Sequence, residues 1–363
     1  MKHSNQRIRA CLKELRQRKL DGMLISSSWN VTWLTGFRPA EGFLLVEREG
    51  RLVYVTSPLY AQEARACSLW ETVCHPRGIF SGTATAIQHN GTYRLGYETT
   101  HLSCQEFQRL TRILGNEVNW QPQIHLLETL RMRKSKSEIS AIRKAAEITE
   151  EAVRYADDIR ADMKSEKELQ IEIERFLRLK GDNSPAFPVI VASGRRSAFP
   201  HHLSSDEILE HPLLIDLGAR FGGYCADLTR NFFSDKMPRS WRKIYDIVRG
   251  AQEKAFRSIR PGIAASEVDR RAREWIEKKG YGKYFNHGTG HGVGLEVHEP
   301  PALSPRGQDL LEEGMVITLE PGIYLPGRFG IRIEDMVVVR GRKGEYLSGN
   351  INRRNSTGNR DRA

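Results

Sequence analysis

Residues 215–230 read IDLGARFGGYCADLTR, two largely apolar arms joined at a pair of glycines. Apolar arms on either side of a glycine turn predict a β-hairpin. With Phe221 and Gly222 at the tip of the turn, the aspartates at positions 216 and 227 become direct cross-strand partners, about 5 Å apart at Cβ. Asp216 and Asp227 would then point at one spot.

A second stretch, LEPGIYLPGRFGIRIED at residues 319–335, has the same symmetry. Glu320 and Glu334 lie seven residues either side of Gly327 in a Pro/Gly-rich loop, so a second carboxylate pair results. The runs LLIDLGA around Asp216 and MVITLEPG around Glu320 are typical of buried strands, where an unpaired carboxylate costs several kcal/mol. Four converging carboxylates would repel and have strongly raised pKa values unless cations neutralise them. Two divalent ions would do so.

The third stretch, NHGTGHGVGLEVHEPP at residues 286–301, contains His287, His291 and His298. Glycines at alternate positions over residues 288–294 disfavour a regular helix and favour backbone that approaches a ligand closely. An imidazole beside carboxylates suits Mn, Co, Zn or Fe(II), whereas Ca and Mg prefer all-oxygen ligands. Five residues have the side chains and the order of a two-metal hydrolase: Asp216, Asp227, His291, Glu320 and Glu334.

These stretches resemble the pita-bread metallopeptidases of the creatinase/aminopeptidase fold, and among them the Xaa-Pro peptidases, prolidase and aminopeptidase P. The resemblance covers nearly the whole chain, and all five metal ligands of the family are present in order. Besides the aspartate stretch, the segments that carry it are NVTWLTGF (30–37), RMRKSKSEI (131–139), VIVASGRRSAFPHH (189–202), GHGVGLEVHEPP (290–301) and TLEPGIYLPGRFGIRIED (318–335).

The resemblance implies an α+β protein in which a small N-terminal α/β domain of the creatinase type precedes a pita-bread catalytic domain. Ser135 and Glu138 form a capping box that opens the first helix of the second domain. Further helices are predicted at 166–180, 239–258 and 265–279, and strands at 187–192, 213–233, 315–320 and 331–339. The expected division is an N-terminal domain at 1–122, a linker at 123–135, the catalytic domain at 136–349 and a basic, disordered tail at 350–363.

By resemblance, Asp227 and Glu334 bridge two divalent ions. Asp216 holds one of the ions, and His291 and Glu320 hold the other. The expected metal is Mn, with Co, Zn or Fe as alternatives. Two ions about 3 to 4 Å apart can hold a bridging hydroxide that attacks an amide carbonyl. Glu320 also resembles the catalytic residue that takes the proton from the attacking water.

The resemblance also assigns residues to the substrate side. His298 corresponds to a catalytic histidine that hydrogen-bonds the scissile carbonyl, and His287 to one near the leaving side. His201 resembles the histidine that closes the proline pocket, and Arg332 one that supports the metal site or binds a substrate carboxylate. His202 is either a second pocket wall or a loop residue without a role. The second alternative is favoured because adjacent loop side chains seldom face one site.

Other functions on the same fold are weighed against Xaa-Pro hydrolysis. A creatinase-like or ectoine-hydrolase-like enzyme is one alternative, and a non-enzymatic binding module is another. The intact five-ligand set argues against creatinase-like members and binding modules, which lose ligands. A methionine aminopeptidase would normally lack the N-terminal domain of about 120 residues. Aminopeptidase and dipeptidase activity both remain open.

Composition predicts a cytoplasmic protein. The chain has 363 residues, a net charge of +11 and five scattered cysteines without a C-x-x-C pair, which is typical of a reducing compartment. It shows no membrane-length apolar run and no signal core. The basic residues are not interleaved with aromatics, so specific nucleic-acid binding is not expected. The sequon at residues 90–92 reads as a turn. Expected partners are short proline-containing peptides and, by resemblance, a second copy in a homodimer or a dimer of dimers.

Overall fold

The computed structural model divides the chain into an N-terminal unit, residues 1–131, and a C-terminal unit, residues 132–363. The structure describes residues 2–38, 41–87, 93–234 and 236–348, with backbone alone for residues 2 and 3. The turn expected at residues 90–92 and the tail expected at 350–363 lie outside the described residues. No described helix is long and apolar enough to span a membrane.

The described part of the N-terminal unit is a six-stranded mixed sheet with helices, which confirms the expected α/β character. The strands are β1 (Gly22–Ile25), β2 (Phe43–Glu47), β3 (Leu52–Val55), β4 (Glu71–Val73), β5 (Tyr93–Glu98) and β6 (Val118–Gln123), in the order β4-β3-β2-β1-β5-β6. The helices are α1 (Lys2–Gln17), α2 (Ser28–Thr35), α3 (Ala61–Arg65), α4 (Ile79–Ala86), α5 (Cys104–Leu114) and α6 (Leu126–Met132). Helix α6 occupies much of the segment that we treat as a linker.

The C-terminal unit combines four long helices with antiparallel strands in its described part. The helices are α7 (Lys136–Ile159), α8 (Glu166–Lys180), α9 (Arg239–Ser258) and α10 (Ala265–Lys278). The strands of its first half are β7 (Ile190–Ser193), β8 (Leu213–Leu217), β9 (Arg220–Phe221), β10 (Tyr224–Cys225) and β11 (Leu228–Phe232). Those of its second half are β12 (Gly290–Gly292), β13 (Glu299–Leu303), β14 (Val316–Leu319), β15 (Gly322–Leu325), β16 (Phe329–Arg332), β17 (Asp335–Arg340) and β18 (Lys343–Tyr346).

Two sheets of this unit carry the functional side chains. One has the order β11-β8-β7, and the other has the order β13-β12-β14-β17-β18. Two short ribbons, β9 with β10 and β15 with β16, extend from them. The strands predicted at 213–233 and 331–339 are therefore each interrupted, and the strand predicted from 187 begins at Ile190.

The helices bury apolar faces against these sheets. The predicted capping box of α7 is present, with the side chain of Ser135 accepting from the backbone of Glu138. Residues Val248 and Ala251 of α9 join strand residues such as Ile317 in one apolar cluster, all nearly inaccessible to solvent. Burying a side chain such as Val or Ile contributes about 1.5 to 3 kcal/mol, so the outer helices stabilise the strands that position the site.

Candidate metal centre

The aspartate hairpin turns one residue later than its pattern predicts. Tyr224 pairs with Phe221, which places Gly222 and Gly223 at the tip. Both glycines have positive φ, +56° and +88°. A two-residue hairpin turn that has positive φ at both central positions favours glycine, and a phenylalanine there would be strained.

The register therefore differs from the predicted one by two residues. Asp216 lies opposite Thr229, so the prediction that Asp216 and Asp227 are direct partners was wrong. A shift of two residues keeps a side chain on the same face of a sheet. Oxygens of Asp216, Asp227 and Glu334 accordingly lie within 4.8 Å of one another.

The glutamate hairpin has the predicted centre. Gly322 pairs with Arg332 in the ribbon, and Leu319 pairs with Asp335 in the five-stranded sheet. Both pairs are symmetric about Gly327, which confirms that register. The two glutamates lie between these ladders, one on each arm.

His291 reaches the carboxylates from β12. Its backbone N–H donates to the Thr318 hydroxyl at 3.0 Å, and a register shift follows between His291 and Gly292. Such a bulge re-aims a side chain. The Nε2 atom lies 3.3 Å from Glu320 Oε1 and 3.5 Å from Asp227 Oδ2. A Cβ added at Gly290 would lie 2.1 Å from the Thr318 carbonyl oxygen, so Gly290 lets β12 pack closely against β14. The approach of this glycine-rich segment to a ligand stays a prediction.

The five sequence-predicted ligands are brought together in one centre. Three overlapping groups have ligand atoms within 4.8 Å of one another. The groups are Asp216 with Asp227 and Glu334, His291 with Glu320 and Glu334, and Asp227 with His291 and His298. Asp227, His291 and Glu334 each belong to two groups, so the three groups form one continuous cluster.

Two buried oxygens of this centre fit a cation. Asp216 Oδ1 and Glu334 Oε1 have no hydrogen-bond partner among the described residues. Leaving a buried charged acceptor unsatisfied costs more than the roughly 1 to 3 kcal/mol of a neutral group. The mixed imidazole and carboxylate set suits a divalent transition metal.

Burial dominates the electrostatics of the centre. It raises the pKa of Asp216, and it raises the pKa values of Asp227 and Glu334 well above the ordinary range, with neighbouring carboxylates adding to the effect. Burial also opposes ionisation of Glu320, but the hydrogen bond and charge of His291 outweigh it and lower the pKa to about 2. Bound cations would oppose these increases and favour the ionised form of the carboxyl groups.

Arg332 supports the aspartate side of the centre. Its Nη2 donates to Asp216 Oδ2 at 2.6 Å, and its Nε donates to the Thr229 hydroxyl at 2.9 Å. Thr229 in turn donates to Glu334 Oε2 at 2.7 Å. The guanidinium also donates to the hydroxyl of Tyr324 at 3.0 Å. Of the two roles that the resemblance gives Arg332, these contacts correspond to support of the metal site.

Three predicted substrate-side histidines lie near the centre. The rings of His291 and His298 are 4.3 Å apart between centroids. His287 Nε2 lies 3.0 Å from the Tyr324 hydroxyl. Burial lowers the pKa values of His287 and His298, and an electrostatic contribution from exposed His201 lowers both further.

His202 contacts a residue that the sequence did not single out. Its Nε2 lies 2.8 Å from Oε2 of Glu166, whose carboxylate is fully buried. That carboxylate also accepts from the backbone and hydroxyl of Ser193 and of Ser205, and from Arg196 Nε. His202 is thus part of a hydrogen-bond network that ties both ends of the loop carrying His201 to Glu166. A glutamate in the first turn of a polar helix resembles a surface residue, so the sequence offers no signal for this role.

The profile of Metallopeptidase family M24 matches residues 140–341, more than half of the chain. The chain belongs to metallopeptidase family M24. The Creatinase/Prolidase N-terminal domain matches residues 7–133, so both parts of the predicted fold are present in this M24 metallopeptidase.

Relatives of this M24 metallopeptidase match along nearly their whole length. An Xaa-Pro dipeptidase of Pyrococcus horikoshii is 36% identical over 92% of this chain and 94% of its own. The structure of an Xaa-Pro dipeptidase from Bacillus anthracis has a TM-score of 0.87 at 32% identity, covering 95% of this chain and 97% of that one. An X-Pro aminopeptidase from Thermotoga maritima has a TM-score of 0.85 at 31% identity, covering 94% and 97%.

Proposed function

We propose that this M24 metallopeptidase hydrolyses Xaa-Pro bonds in short peptides with the help of two divalent cations. The observation that carries the proposal is the convergence of five ligand side chains around two buried, unpartnered carboxylate oxygens. The names of similar proteins, Xaa-Pro dipeptidase and X-Pro aminopeptidase, support the substrate class.

The ligand set favours two ions over one. Asp227 and Glu334 are proposed to be shared, with Asp216 on one side and His291 and Glu320 on the other. When bound, divalent cations activate water and polarise an amide carbonyl. Mn is the proposed metal, and Co, Zn or Fe would suit the same donors.

The remaining residues act on protons and on the peptide. Glu320 is proposed to accept the proton of the attacking water. His298 is proposed to donate to the oxygen that becomes negatively charged, and His287 to act near the leaving side. An Xaa-Pro bond has no N–H, so recognition of this bond needs no acceptor for that group, and His201 is proposed to close a pocket for the proline ring.

The proposal is tested by removing all metal with a chelator and adding back Mn, Co, Zn or Fe(II) separately. Elemental analysis should then find two equivalents of metal per chain. Mass spectrometry of the products from Gly-Pro, Ala-Pro and Ala-Pro-Ala, with Ala-Ala as the matched control, should show cleavage before proline only. Release of Pro-Ala from the tripeptide would identify an aminopeptidase, and cleavage of dipeptides alone would identify a dipeptidase.

Protein with two bound metal equivalents that cleaves none of the proline peptides would refute the proposed activity. The proposed assembly, a homodimer or a dimer of dimers, has an independent test in light scattering. A cytoplasmic location is likewise proposed, on the free cysteines of the described residues.

A further inference from the structure

The two metal-ligating glutamates lie where a strand ladder is interrupted. The ladder of β14 with β17 ends at the pair Leu319 and Asp335, and the ribbon of β15 with β16 begins beyond it. Glu320 and Glu334 occupy this gap. Backbone groups beside an interruption need hydrogen-bond partners from outside the ladder, so the question is what fixes the backbone there.

A side-chain amide on helix α9 bridges the gap. Gln252 is buried, and its Nε2 lies 3.0 Å from the carbonyl oxygen of Leu319 and 3.3 Å from that of Ile333. Each of these carbonyls belongs to the residue that immediately precedes a metal-ligating glutamate. One amide group therefore joins both arms of the hairpin directly before their ligands.

A buried arginine also hydrogen-bonds this segment. Arg230 of β11 donates through Nη1 to the carbonyl oxygens of Thr229 and Glu334, at 3.0 and 2.5 Å. Its Nη2 donates to Asp335 Oδ1 at 2.6 Å. The other carboxylate oxygen of Asp335 lies 3.1 Å from the Gln252 amide. Asp335 thus orients both donors.

We propose that Gln252, Asp335 and Arg230 form a carbonyl clamp that positions the metal ligands. The Gln252 amide and the Arg230 guanidinium donate hydrogen bonds to the backbone carbonyl oxygens of Leu319, Ile333, Glu334 and Thr229. None of these four hydrogen bonds goes to a ligating carboxylate, so the clamp residues act on the ligands through the backbone. The inference rests on the proposed two-metal site and adds what sets the spacing between its two glutamates.

Partners that hydrogen-bond the ligating side chains themselves change metal affinity by roughly 10- to 100-fold when they are removed, and we expect the loss of the backbone clamp to reach the lower end of that range. Gln252→Met keeps the length of the side chain and removes both amide donors. We expect the dissociation constant of at least one of the two ions to rise more than tenfold. Metal added to metal-free protein in competition with a chelating dye measures this constant. The KM for Gly-Pro should stay within about twofold, because the clamp does not touch substrate, and excess metal should restore kcat.

Ser258→Ala on the same helix is the matched control. Its buried hydroxyl donates to the carbonyl of Ala255 within the helix, so its loss should lower the melting temperature without changing metal affinity. If Gln252→Met behaves like Ser258→Ala, with lower stability but wild-type metal affinity, the clamp is only structural and the inference is overturned.

Two further outcomes separate this inference from the proposed function. Wild-type protein that binds fewer than two ions contradicts the two-metal site itself, whatever the variant does. If Gln252→Met fails to fold, Gln252→Asn replaces it, since it keeps the donor on a side chain one methylene shorter. Weakened metal binding in folded Gln252→Asn supports the clamp, and wild-type binding contradicts it.

Discussion

Replacing Glu166 by glutamine should destabilise the C-terminal unit by about 3 kcal/mol at pH 7. The fully buried carboxylate accepts hydrogen bonds from Arg196, His202, Ser193 and Ser205. Burial alone would raise its pKa, but these bonds outweigh burial and lower the pKa to about 2, against an ordinary value of 4.5. At about 1.36 kcal/mol per pH unit, the difference between the two values corresponds to about 3 kcal/mol.

The sign of the pH dependence follows from the lowered pKa. A carboxyl group with a lower pKa in the folded state contributes its full stabilisation above its unfolded pKa of 4.5. The contribution is lost as the pH falls through the folded value of about 2. The difference in stability between wild type and Glu166→Gln should therefore shrink to about 2 kcal/mol at pH 3.5.

Urea denaturation of metal-free protein at pH 7 and at pH 3.5, followed by circular dichroism, measures both differences. Hydrogen exchange with mass spectrometry should show faster exchange over residues 193–205 in the variant. The amides of Ser193 and Ser205 donate to different oxygens of Glu166, and glutamine keeps only one acceptor oxygen, so one of these amides loses its acceptor. The control is Glu172→Gln on the same helix, a partly exposed residue paired with Arg175. Its effect should stay below about 1 kcal/mol.

The reasoning would be refuted by equal stability of Glu166→Gln and wild type at pH 7. A stability difference that does not change between pH 7 and pH 3.5 would also contradict it, because the effect would then come from altered packing and not from the charge.

Three further predictions concern single residues. Asp227→Ala or Glu334→Ala should lose bound metal and Gly-Pro hydrolysis together, and turnover with metal still bound would contradict the assignment of a shared ligand. His298→Ala should keep both metals and lose roughly 2.5 to 4 kcal/mol of transition-state stabilisation, seen in kcat; a rise in KM alone would make it a binding residue. Burial raises the pKa values of Cys11 and Cys225 to about 12, so mass spectrometry should find these two thiols unmodified by an aromatic disulfide at pH 8, and their modification in folded protein would show that they are accessible.

The ligand pairs differ in how far the sequence predicts them. A single glycine, Gly327, marks the centre of the glutamate hairpin, so its register follows from counting. The aspartate hairpin has two adjacent glycines, and the choice of tip among Phe221, Gly222 and Gly223 changes the register. The prediction that Asp216 and Asp227 share one face of the sheet still holds, because side chains alternate with a period of two residues and the register is shifted by two.

Buried polar residues that fix the backbone around the candidate site carry no comparable local signal. Gln252 lies 67 residues from Leu319 and 83 from Asp335 along the chain, and Glu166 lies 39 residues from Ser205. Both occupy helices whose sequences are largely polar, where a buried polar side chain looks like a solvent-facing one. Their roles depend on tertiary contacts that no spacing rule describes.

The glutamate hairpin keeps one register on both sides of its interruption, and this determines where the chain tolerates added length. A peptide inserted at the turn around Gly327 lies outside both ladders and moves neither glutamate. One extra residue in an arm, between the turn and Glu320 or Glu334, would turn that glutamate to the opposite face of the sheet. The turn is therefore the place on this hairpin for an epitope or a fluorescent label that leaves both glutamates in position.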